Sequence, residues 1–229
     1  RFPNHFLSNE PLFHSLENGS VSPAVGVYVQ SNVTDTRVHN NFFITMGYCI
    51  RSSYGGTAYL YNNTGYGSST SGRSVVGIDY INYSTNVDLR SNIMANFGTA
   101  DIDTGWTISP TTNATSDDSG QTTGITASDH FVSTVGGSED LHLVKSSSLR
   151  GAGQDLGTSY GPDINDSNRH ALSATVWDIG AHQYASTASI GTSGRDYSTI
   201  TLWEADLDDT TIYGAGANSV GECYNDSVF

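Results

Sequence analysis

Apolar and polar residues alternate along much of this chain in short runs. The first regular run is Val25-Gly26-Val27-Tyr28-Val29, in which valine occupies every second position. Alternation with a period of two is typical of a β-strand with one face toward a core and the other toward solvent. The pattern therefore predicts that Val25, Val27 and Val29 point inward together.

Further strand-like runs follow Val29 and are separated by clusters of glycine, serine and asparagine. Most of these runs are about three to five residues long, which is short for the strands of a sandwich fold. The predicted strands cover residues 36–38, 41–45, 48–50, 57–61, 74–81, 87–90, 93–95 and 106–108.

Asparagines recur after predicted strands at regular intervals. Asn41, Asn63, Asn92 and Asn113 are spaced 22, 29 and 21 residues apart, close to one solenoid coil per interval with one insertion. Stacked asparagines can hydrogen-bond one another, and asparagine tolerates the left-handed backbone of a sharp corner. The sequence therefore predicts an all-β, right-handed parallel β-helix over residues 25–184, with a β-sandwich as the alternative.

The composition limits the partners of such a fold. Charged residues are 14% of the 229 residues, and 23 acidic residues face 9 basic ones, for a formal net charge of −14. An acidic surface repels phosphate backbones, so we expect no nucleic-acid partner, whereas calcium is compatible with it. No apolar run approaches the roughly 18 to 20 residues of a membrane span, so we expect none.

Residues 92–184 contain an ordered series of short motifs. The series runs Asn92-Ile93-Met94-Ala95-Asn96, Asp129-His130-Phe131, Asp140-Leu141-His142-Leu143, Ser148-Leu149-Arg150-Gly151-Ala152-Gly153, Asp163-Ile164-Asn165-Asp166-Ser167-Asn168-Arg169 and Asp178-Ile179-Gly180-Ala181-His182-Gln183-Tyr184. In order and spacing it resembles the last coils of secreted right-handed β-helix proteins of the pectin-lyase-like and choice-of-anchor Q types. Two motifs depart from that pattern, since Asp-His-Phe replaces Asp-Pro-Leu-Phe and Ser-Leu-Arg replaces Ser-Pro-Ala-Ile-Asp.

The resemblance implies a structural role for residues 129–184, here called the closing segment. It implies that this segment closes the C-terminal end of the solenoid. It also implies that Asp178 and Gly180 form a turn, with Ile179 and Tyr184 packed beneath it. We accordingly expect Trp177, Ile179 and Tyr184 to be buried near one end of the fold.

The two ends of the chain are predicted to be separate pieces. Residues 1–24 contain three of the five prolines and are interpreted as an irregular lead-in. Residues 190–229 resemble the opening of a second β-helix module found in environmental bacterial and phage proteins. Residues 185–229 are therefore expected to hold a linker, a capping helix and the first strand of a following module or subunit contact.

The C-terminal piece has the one clear helix signal of the chain. Ile200, Trp203 and Leu207 share a helical face, and the predicted N-cap is Thr201, in a capping box with Glu204, or alternatively Ser198. An isolated helix and strand would leave a set of apolar side chains exposed, which soluble proteins avoid. The predicted interface with another module or subunit consists of Trp203, Leu207, Val228 and Phe229.

Candidate chemistry is sparse. Asp101 and Asp103 are the catalytic candidates, because alternate residues of a strand share a face; the alternative is a pair of solvated turn residues. Asp163 and Asn165 are the candidates for binding calcium, although their loop lacks the glycine and the distal glutamate of an EF-hand. The sequence therefore predicts neither a coherent catalytic set nor a cofactor other than calcium.

Tyrosines are numerous on the predicted strands. In rows on a flat sheet they could stack on sugar rings, or on one another along the solenoid. The tyrosines in question are Tyr48, Tyr54, Tyr59, Tyr61, Tyr66, Tyr80 and Tyr83.

Asparagine sequons and cysteines are the remaining signals. The Asn-x-Ser/Thr triplets mark candidate glycosylation sites at Asn18, Asn32, Asn62, Asn82, Asn113, Asn165 and Asn225. Cys49 and Cys223 are interpreted as small buried hydrophobes, with a disulfide as the alternative in an oxidising compartment. The chain starts at Arg1 rather than methionine, which we interpret as a processed or excised piece of a longer product.

Two functions fit these observations. The first is an extracellular structural or adhesive protein of a cell or virion surface, assembling head-to-tail with copies of itself or with adjacent β-helix modules. The second is a β-helix protein that binds or degrades polysaccharide. Tandem modules, sequons and the lack of a coherent catalytic set in the sequence favour the first function.

Overall fold

Short parallel strands dominate the structure, a computed structural model. It describes residues 12–14, 25–29, 36–44, 47–52, 56–67, 76–80, 85–103, 112–165, 169, 177–184, 187–192, 195–207 and 220–224. The predicted strand at residues 106–108 lies outside these ranges, as does nearly all of the lead-in.

The first part of the chain winds through a series of coils. Its strands are β1 (Leu12–His14), β2 (Val25–Val29), β3 (Thr36–His39), β4 (Phe42–Ile44), β5 (Tyr48–Ser52), β6 (Gly56–Tyr61), β7 (Thr64–Tyr66), β8 (Val76–Tyr80), β9 (Thr85–Arg90), β10 (Ile93–Ala95), β11 (Ala100–Ile102) and β12 (Ala114–Thr115).

Equivalent strands of successive coils pair in parallel and form three sheets. The first sheet has the order β2-β5-β8-β11, the second β3-β6-β9 and the third β1-β4-β7-β10-β12. This is the pairing of a parallel β-helix, and it confirms the predicted fold class over the β-sandwich, whose strands are mostly antiparallel. The right-handed sense of the coil stays a prediction.

In-register rows of apolar side chains form the core of the solenoid. Val27, Ile50, Ile78 and Ile102 align across the first sheet, and Val38, Leu60 and Leu89 align across the second. These rows belong to one buried cluster. The predicted inward orientation holds for Val27 and Val29, which pack on this cluster, whereas Val25 is 36% exposed.

The predicted asparagines form a buried hydrogen-bonded ladder between the second and third sheets. The Nδ2 atom of Asn41 donates to Oδ1 of Asn63 (2.8 Å), Asn63 to Asn92 (3.0 Å) and Asn92 to Asn113 (2.9 Å). The same amide groups also donate to backbone carbonyls, as Asn92 does to Leu60 (2.7 Å). The ladder therefore satisfies corner backbone groups that would otherwise be buried without partners.

The sequence suggested that each ladder asparagine has the left-handed backbone of the corner. In the structure, the residue before each ladder asparagine has this conformation instead. Asn40, Asn62, Ser91 and Thr112 have φ of 57°, 51°, 54° and 59°. One left-handed residue turns the chain sharply at the end of a strand of the second sheet. The ladder asparagine then directly precedes the next strand, which belongs to the third sheet.

A polar loop at residues 116–122 caps the last coil. Asp117 accepts a hydrogen bond from the backbone N–H of Asp101 (2.8 Å), and Ser119 accepts one from Ile102 (3.0 Å). Gln121 extends the ladder by accepting from the N–H of Asn113 (3.0 Å). These side chains occupy the positions where another strand would pair, so they terminate the first sheet and the ladder.

The described residues of the closing segment lie along the outer face of the third sheet. Closure of the C-terminal end of the solenoid, which the resemblance implied, stays a prediction. The segment contains the antiparallel strands β13 (Phe131–Ser133) and β14 (Asp140–Leu143) and a 3-10 helix at Thr158–Tyr160. The third sheet is consequently buried on both faces, which explains its continuous apolar runs. Side chains of the sheet and the segment form a second apolar cluster: Phe42, Ile44, Ile93, Ala95, Ala114, Ile125, Phe131, Leu141, Leu143, Leu149, Ile179 and Ala181.

A small C-terminal unit follows the closing segment. Strands β15 (Thr187–Ile190) and β16 (Val220–Cys223) pair in parallel, and helix α1 (Ile200–Leu207) packs beside them. The N-cap of α1 is Thr199, whose Oγ1 accepts from the N–H of Leu202 (3.2 Å), and not Thr201 or Ser198. Across the described residues, no helix is long and apolar enough to span a membrane.

Candidate functional site

The outer surface of the second sheet carries a cluster of aromatic and charged side chains. Because Val38, Leu60 and Leu89 point into the core, their neighbours on either side point outward. Two outward rows result, Arg37–Tyr59–Asp88 and His39–Tyr61–Arg90, each aligned by the parallel register. These six side chains, with Tyr160, are called the aromatic face below.

Tyr160 reaches this surface from the closing segment. Its ring stands edge-on to His39 (5.1 Å between ring centroids) and to Tyr61 (4.9 Å). Asn40 helps to hold this part of the segment, because its Nδ2 donates to the carbonyl of Pro162. Tyr160 therefore forms a wall at one side of the aromatic face and buries much of His39 and Tyr61.

Charged groups are arranged among the rings. Arg90 donates from Nε and Nη2 to the two carboxylate oxygens of Asp88 (2.7 and 2.9 Å), and Tyr61 donates its hydroxyl to the same carboxylate (2.8 Å). The guanidinium groups of Arg37 and Arg90 lie 5.7 Å from the ring centroids of Tyr59 and Tyr61, respectively. Such cation–π contacts hold the rings and the charges in one arrangement.

Three side chains of the aromatic face have shifted pKa values that fix their protonation states at neutral pH. Burial and the hydrogen bond to Asp88 raise the pKa of Tyr61, and burial raises the pKa of Tyr160. Burial, with the positive charge of Arg37, lowers the pKa of His39 to about 4. Both phenols are therefore protonated and the imidazole is neutral, which suits hydrogen bonding and stacking better than proton transfer near pH 7.

The catalytic candidates lie on the first sheet rather than on this face. Asp101 is buried, and its carboxylate accepts hydrogen bonds from the N–H groups of Phe97 (3.1 Å), Ser116 (2.5 Å) and Asp117 (3.0 Å). Asp103 follows β11, and its N–H donates to the carbonyl of Ile78 (2.8 Å). Asp101 thus fastens the capping loop to the last coil, which favours a structural role for it.

The metal candidates do not direct their oxygens toward one point. Asp163 is buried, and its two oxygens accept from the N–H groups of Asn165 and Gln183 (2.9 Å each). Asn165 is exposed, and its Oδ1 lies 3.3 Å from Nε2 of His142. In the part of the chain that the structure describes, no group of three or more His, Cys, Asp or Glu side chains could hold a metal ion.

Asp163 belongs instead to a buried polar cluster that the sequence motifs did not reveal. Arg169 donates to the carbonyl of Gly180 (2.8 Å), and Gln183 accepts from the N–H of Asp178 (3.0 Å). Asp178 accepts from the N–H groups of Gly151 (2.7 Å) and Tyr184 (2.6 Å), and burial raises its pKa to about 6. The last two motifs of the series therefore bind each other.

The burial predicted for the end of the closing segment is confirmed. Trp177, Ile179 and Tyr184 are at most 7% exposed. The predicted turn is also present, since Gly180 has a φ of 96°. These residues pack on the flank of the solenoid, however, and not at its end.

Two of the glycosylation candidates are wrong for the folded chain. Asn62 and Asn113 are fully buried, and Nδ2 of Asn113 donates to the carbonyl of Leu89 (3.1 Å), so neither amide is accessible to a glycan. Asn165 is exposed. The remaining candidates, Asn18, Asn32, Asn82 and Asn225, lie outside the described residues.

Two of the four predicted interface residues lie in the described part of the C-terminal unit. Trp203 and Leu207 are partly buried, and Trp203 packs beside Gly221 of β16; Val228 and Phe229 lie outside the described residues.

Cys49 is buried and Cys223 is exposed, and both are free thiols. The alternative of a disulfide between them is therefore wrong for this structure, and only Cys49 is a buried hydrophobe.

Two of the other five tyrosine candidates are engaged away from the aromatic face. Tyr48 lies under the guanidinium of Arg51 (4.4 Å), and Tyr66 donates to the carbonyl of Thr134 (3.5 Å). Tyr54 and Tyr83 lie outside the described residues, as does the side chain of Tyr80.

Comparisons with known proteins give this chain no relative. No protein-family model, no curated protein and no solved structure matches it. The functional proposal therefore rests on the contacts and charges of the aromatic face.

Proposed function

We propose that this chain is an extracellular adhesive β-helix protein that binds polysaccharide on its aromatic face. The observation that carries the proposal is the pair of in-register rows, Arg37–Tyr59–Asp88 and His39–Tyr61–Arg90, flanked by Tyr160. The parallel register of the sheet aligns these side chains before a ligand binds, so little ordering is needed on binding.

The chemistry of the rows fits a sugar polymer. Ring faces such as that of Tyr59, which is partly exposed, can stack on the C–H groups of a sugar. Arg37, Asp88 and Arg90 offer charged donors and acceptors to hydroxyl or carboxylate groups beside those rings. A chain that lies along the solenoid axis would meet one member of each row at every coil.

Binding is favoured over turnover by the protonation states of the face. Burial and the hydrogen bond from its hydroxyl to Asp88 keep Tyr61 protonated, and Arg90 is held by the same carboxylate. Neither group is suited to exchange protons with a substrate near neutral pH. A lyase or hydrolase activity is the alternative.

Membership of the pectin-lyase-like or choice-of-anchor Q type is part of the same proposal. It is supported by the parallel β-helix class and by the contacts that join the last two motifs of the series, such as Arg169 to Gly180 (2.8 Å).

The test is a binding screen against neutral and acidic polysaccharides with the wild-type chain and two variants. Tyr59→Ala should weaken binding roughly fivefold or more, since an aromatic contact contributes about 1 kcal/mol. Tyr28→Ala is the control, because Tyr28 is 51% exposed on the first sheet, away from the face. Equal effects of the two variants would reject the face as the site, and new reducing ends or unsaturated products would support the enzyme.

Head-to-tail assembly is a second candidate function. The two proposed contact surfaces are strand β2, which ends the first sheet, and helix α1 of the C-terminal unit; Val25 on β2 and Leu202 on α1 are exposed (36% and 48%). Within one chain, Lys145 contacts Asp206 (3.1 Å), so the C-terminal unit would have to leave this position to reach another copy.

Deletion of residues 187–229 tests the assembly. The truncated chain should be monomeric by mass and should form no filaments under conditions in which the full chain does. If the two assemble alike, the C-terminal unit is not the connector.

A further inference from the structure

Arg37 has no carboxylate partner, unlike the other two arginines of the described strands. On the first sheet Arg51 contacts Asp79 (2.8 Å), and on the second sheet Arg90 contacts Asp88 (2.7 Å). Arg37 makes no ion pair with a carboxylate of the described residues, and its Nε is buried without a hydrogen-bond partner. Because a guanidinium is charged at every ordinary pH, Arg37 presents an uncompensated positive charge on the aromatic face.

Arg37 is accessible to a ligand that lies on the aromatic face. Its side chain is partly exposed and belongs to the outward row Arg37–Tyr59–Asp88. Its guanidinium lies 5.7 Å from the ring centroid of Tyr59, which is also partly exposed. An anionic group bound by Arg37 would therefore lie beside a ring that can stack on a sugar.

The aromatic face is positive although the chain is strongly acidic. Arg37 and Arg90 outweigh Asp88, and His39 is neutral, so the face has a net charge of +1, whereas the whole chain has a formal charge of −14. At physiological ionic strength, exposed charges more than about 8 Å apart are largely screened from each other, so a bound ligand responds mainly to the charges of the face itself. The sign of these charges favours an acidic group at Arg37.

The other end of the same row offers no uncompensated positive charge. The Asp88 carboxylate accepts two hydrogen bonds from Arg90 (2.7 and 2.9 Å) and one from Tyr61 (2.8 Å), which uses three of its about four acceptor positions. Asp88 is two strands from Arg37 in the same register, roughly 10 Å away at the usual strand spacing. A second acidic group at Asp88 would be repelled, whereas a hydroxyl group could donate to the carboxylate.

We propose that the polysaccharide bound by the aromatic face is sparsely charged, with one acidic sugar at Arg37 and neutral sugars over Tyr59 and Asp88. This inference rests on the proposed function and specifies its ligand. A pyranose ring is about as long as the spacing between strands, so a chain along the solenoid axis places roughly one sugar on each member of the row. A homopolymer of uronic acids would instead place a carboxylate at every member, including Asp88.

The test is the affinity of the full chain for two oligosaccharides of equal length and for their carboxyl-reduced forms, in which each carboxylate is replaced by a neutral hydroxymethyl group. One comes from deacylated gellan, whose tetrasaccharide repeat contains a single glucuronate, and the other from polygalacturonate, in which every sugar is acidic. Reduction should weaken binding of the gellan oligosaccharide roughly tenfold, because a charge-assisted hydrogen bond to Arg37 is lost. It should weaken binding of polygalacturonate less, because the same loss is offset by relief of the repulsion at Asp88.

The outcomes separate this inference from the proposed function. Equal affinity of the gellan oligosaccharide before and after reduction would overturn the inference and leave the proposed function standing. The same holds if reduction weakens the binding of polygalacturonate as much as that of the gellan oligosaccharide, or more. If none of the four oligosaccharides binds, the proposed function fails and this inference fails with it.

Variants locate the acidic sugar. In Arg37→Gln the reduced and unreduced gellan oligosaccharides should bind alike, and in Arg37→Lys, which keeps the charge but loses the planar pair of donors, the difference should shrink. Arg51→Gln is the matched control, because it removes the same charge from the first sheet and should leave the difference as in the wild type. A wild-type difference in Arg37→Gln would overturn the inference, as would its loss in Arg51→Gln. If Arg37→Gln does not fold, Arg37→Lys decides, and a difference as large as in the wild type would then count against Arg37.

Discussion

Gly180 of the closing segment lies directly against Ile93 of the third sheet, so that a Cβ atom at Gly180 would be 2.5 Å from Cδ1 of Ile93. The same position has a φ of 96°, which L-residues rarely adopt. The closing segment can therefore approach the sheet only with glycine here.

Gly180→Ala should accordingly destabilise the protein by at least about 2 kcal/mol, from steric overlap added to backbone strain. The control is Gly124→Ala, where φ is 69° but no atom lies within 4 Å of the new Cβ. It should cost about 1 kcal/mol, from strain alone. Urea denaturation of both variants measures the difference, and equal losses would mean that the segment does not pack on Ile93.

Asn92 has hydrogen-bond partners for both the oxygen and the nitrogen of its side-chain amide. Replacement by alanine leaves the buried N–H of Asn63 and the carbonyl of Leu60 without their partners. Asn92→Ala should therefore cost about 3 kcal/mol or more in the free energy of unfolding. Asn165→Ala, at an exposed asparagine, should stay within about 0.5 kcal/mol. A loss below about 1 kcal/mol for Asn92→Ala would show that the ladder does not support the corners.

Trp177 is fully buried beside Arg169, whose guanidinium lies 5.9 Å from the ring centroid. Trp177→Ala should cost about 3 kcal/mol or more, because a large cavity would remain in a packed region. Val135→Ala is the control, since Val135 is 68% exposed and should change stability by less than about 0.5 kcal/mol. A similar small effect of Trp177→Ala would place that ring at the surface.

The ladder could be predicted from the sequence because parallel stacking forces equivalent residues into register. The number of residues between successive asparagines, Asn41, Asn63, Asn92 and Asn113, therefore equals the length of each coil. The left-handed residue was misplaced by one position, since Ser91 and Thr112 occupy it as well as asparagine and so give no compositional signal.

The position of the closing segment could not be predicted from motif order. The bond from Ala181 to Thr64 joins residues 117 positions apart, and a local pattern does not encode such a contact. The clearest indirect signal was the continuous apolar run Phe42-Phe43-Ile44, which requires burial of both faces of its sheet. Tyr160 of the aromatic face was missed for the same reason, since it reaches the second sheet from outside the solenoid.

Ring-labelled tyrosine followed by NMR tests most directly whether the aromatic face binds polysaccharide. The chain has 13 tyrosines, and titration with a polysaccharide that binds should shift the ring resonances of Tyr59, Tyr61 and Tyr160 first, whereas Tyr197 and Tyr224 of the C-terminal unit should not move. Shifts confined to Tyr197 and Tyr224, with Tyr59, Tyr61 and Tyr160 unchanged at saturation, would show that polysaccharide does not bind at the aromatic face.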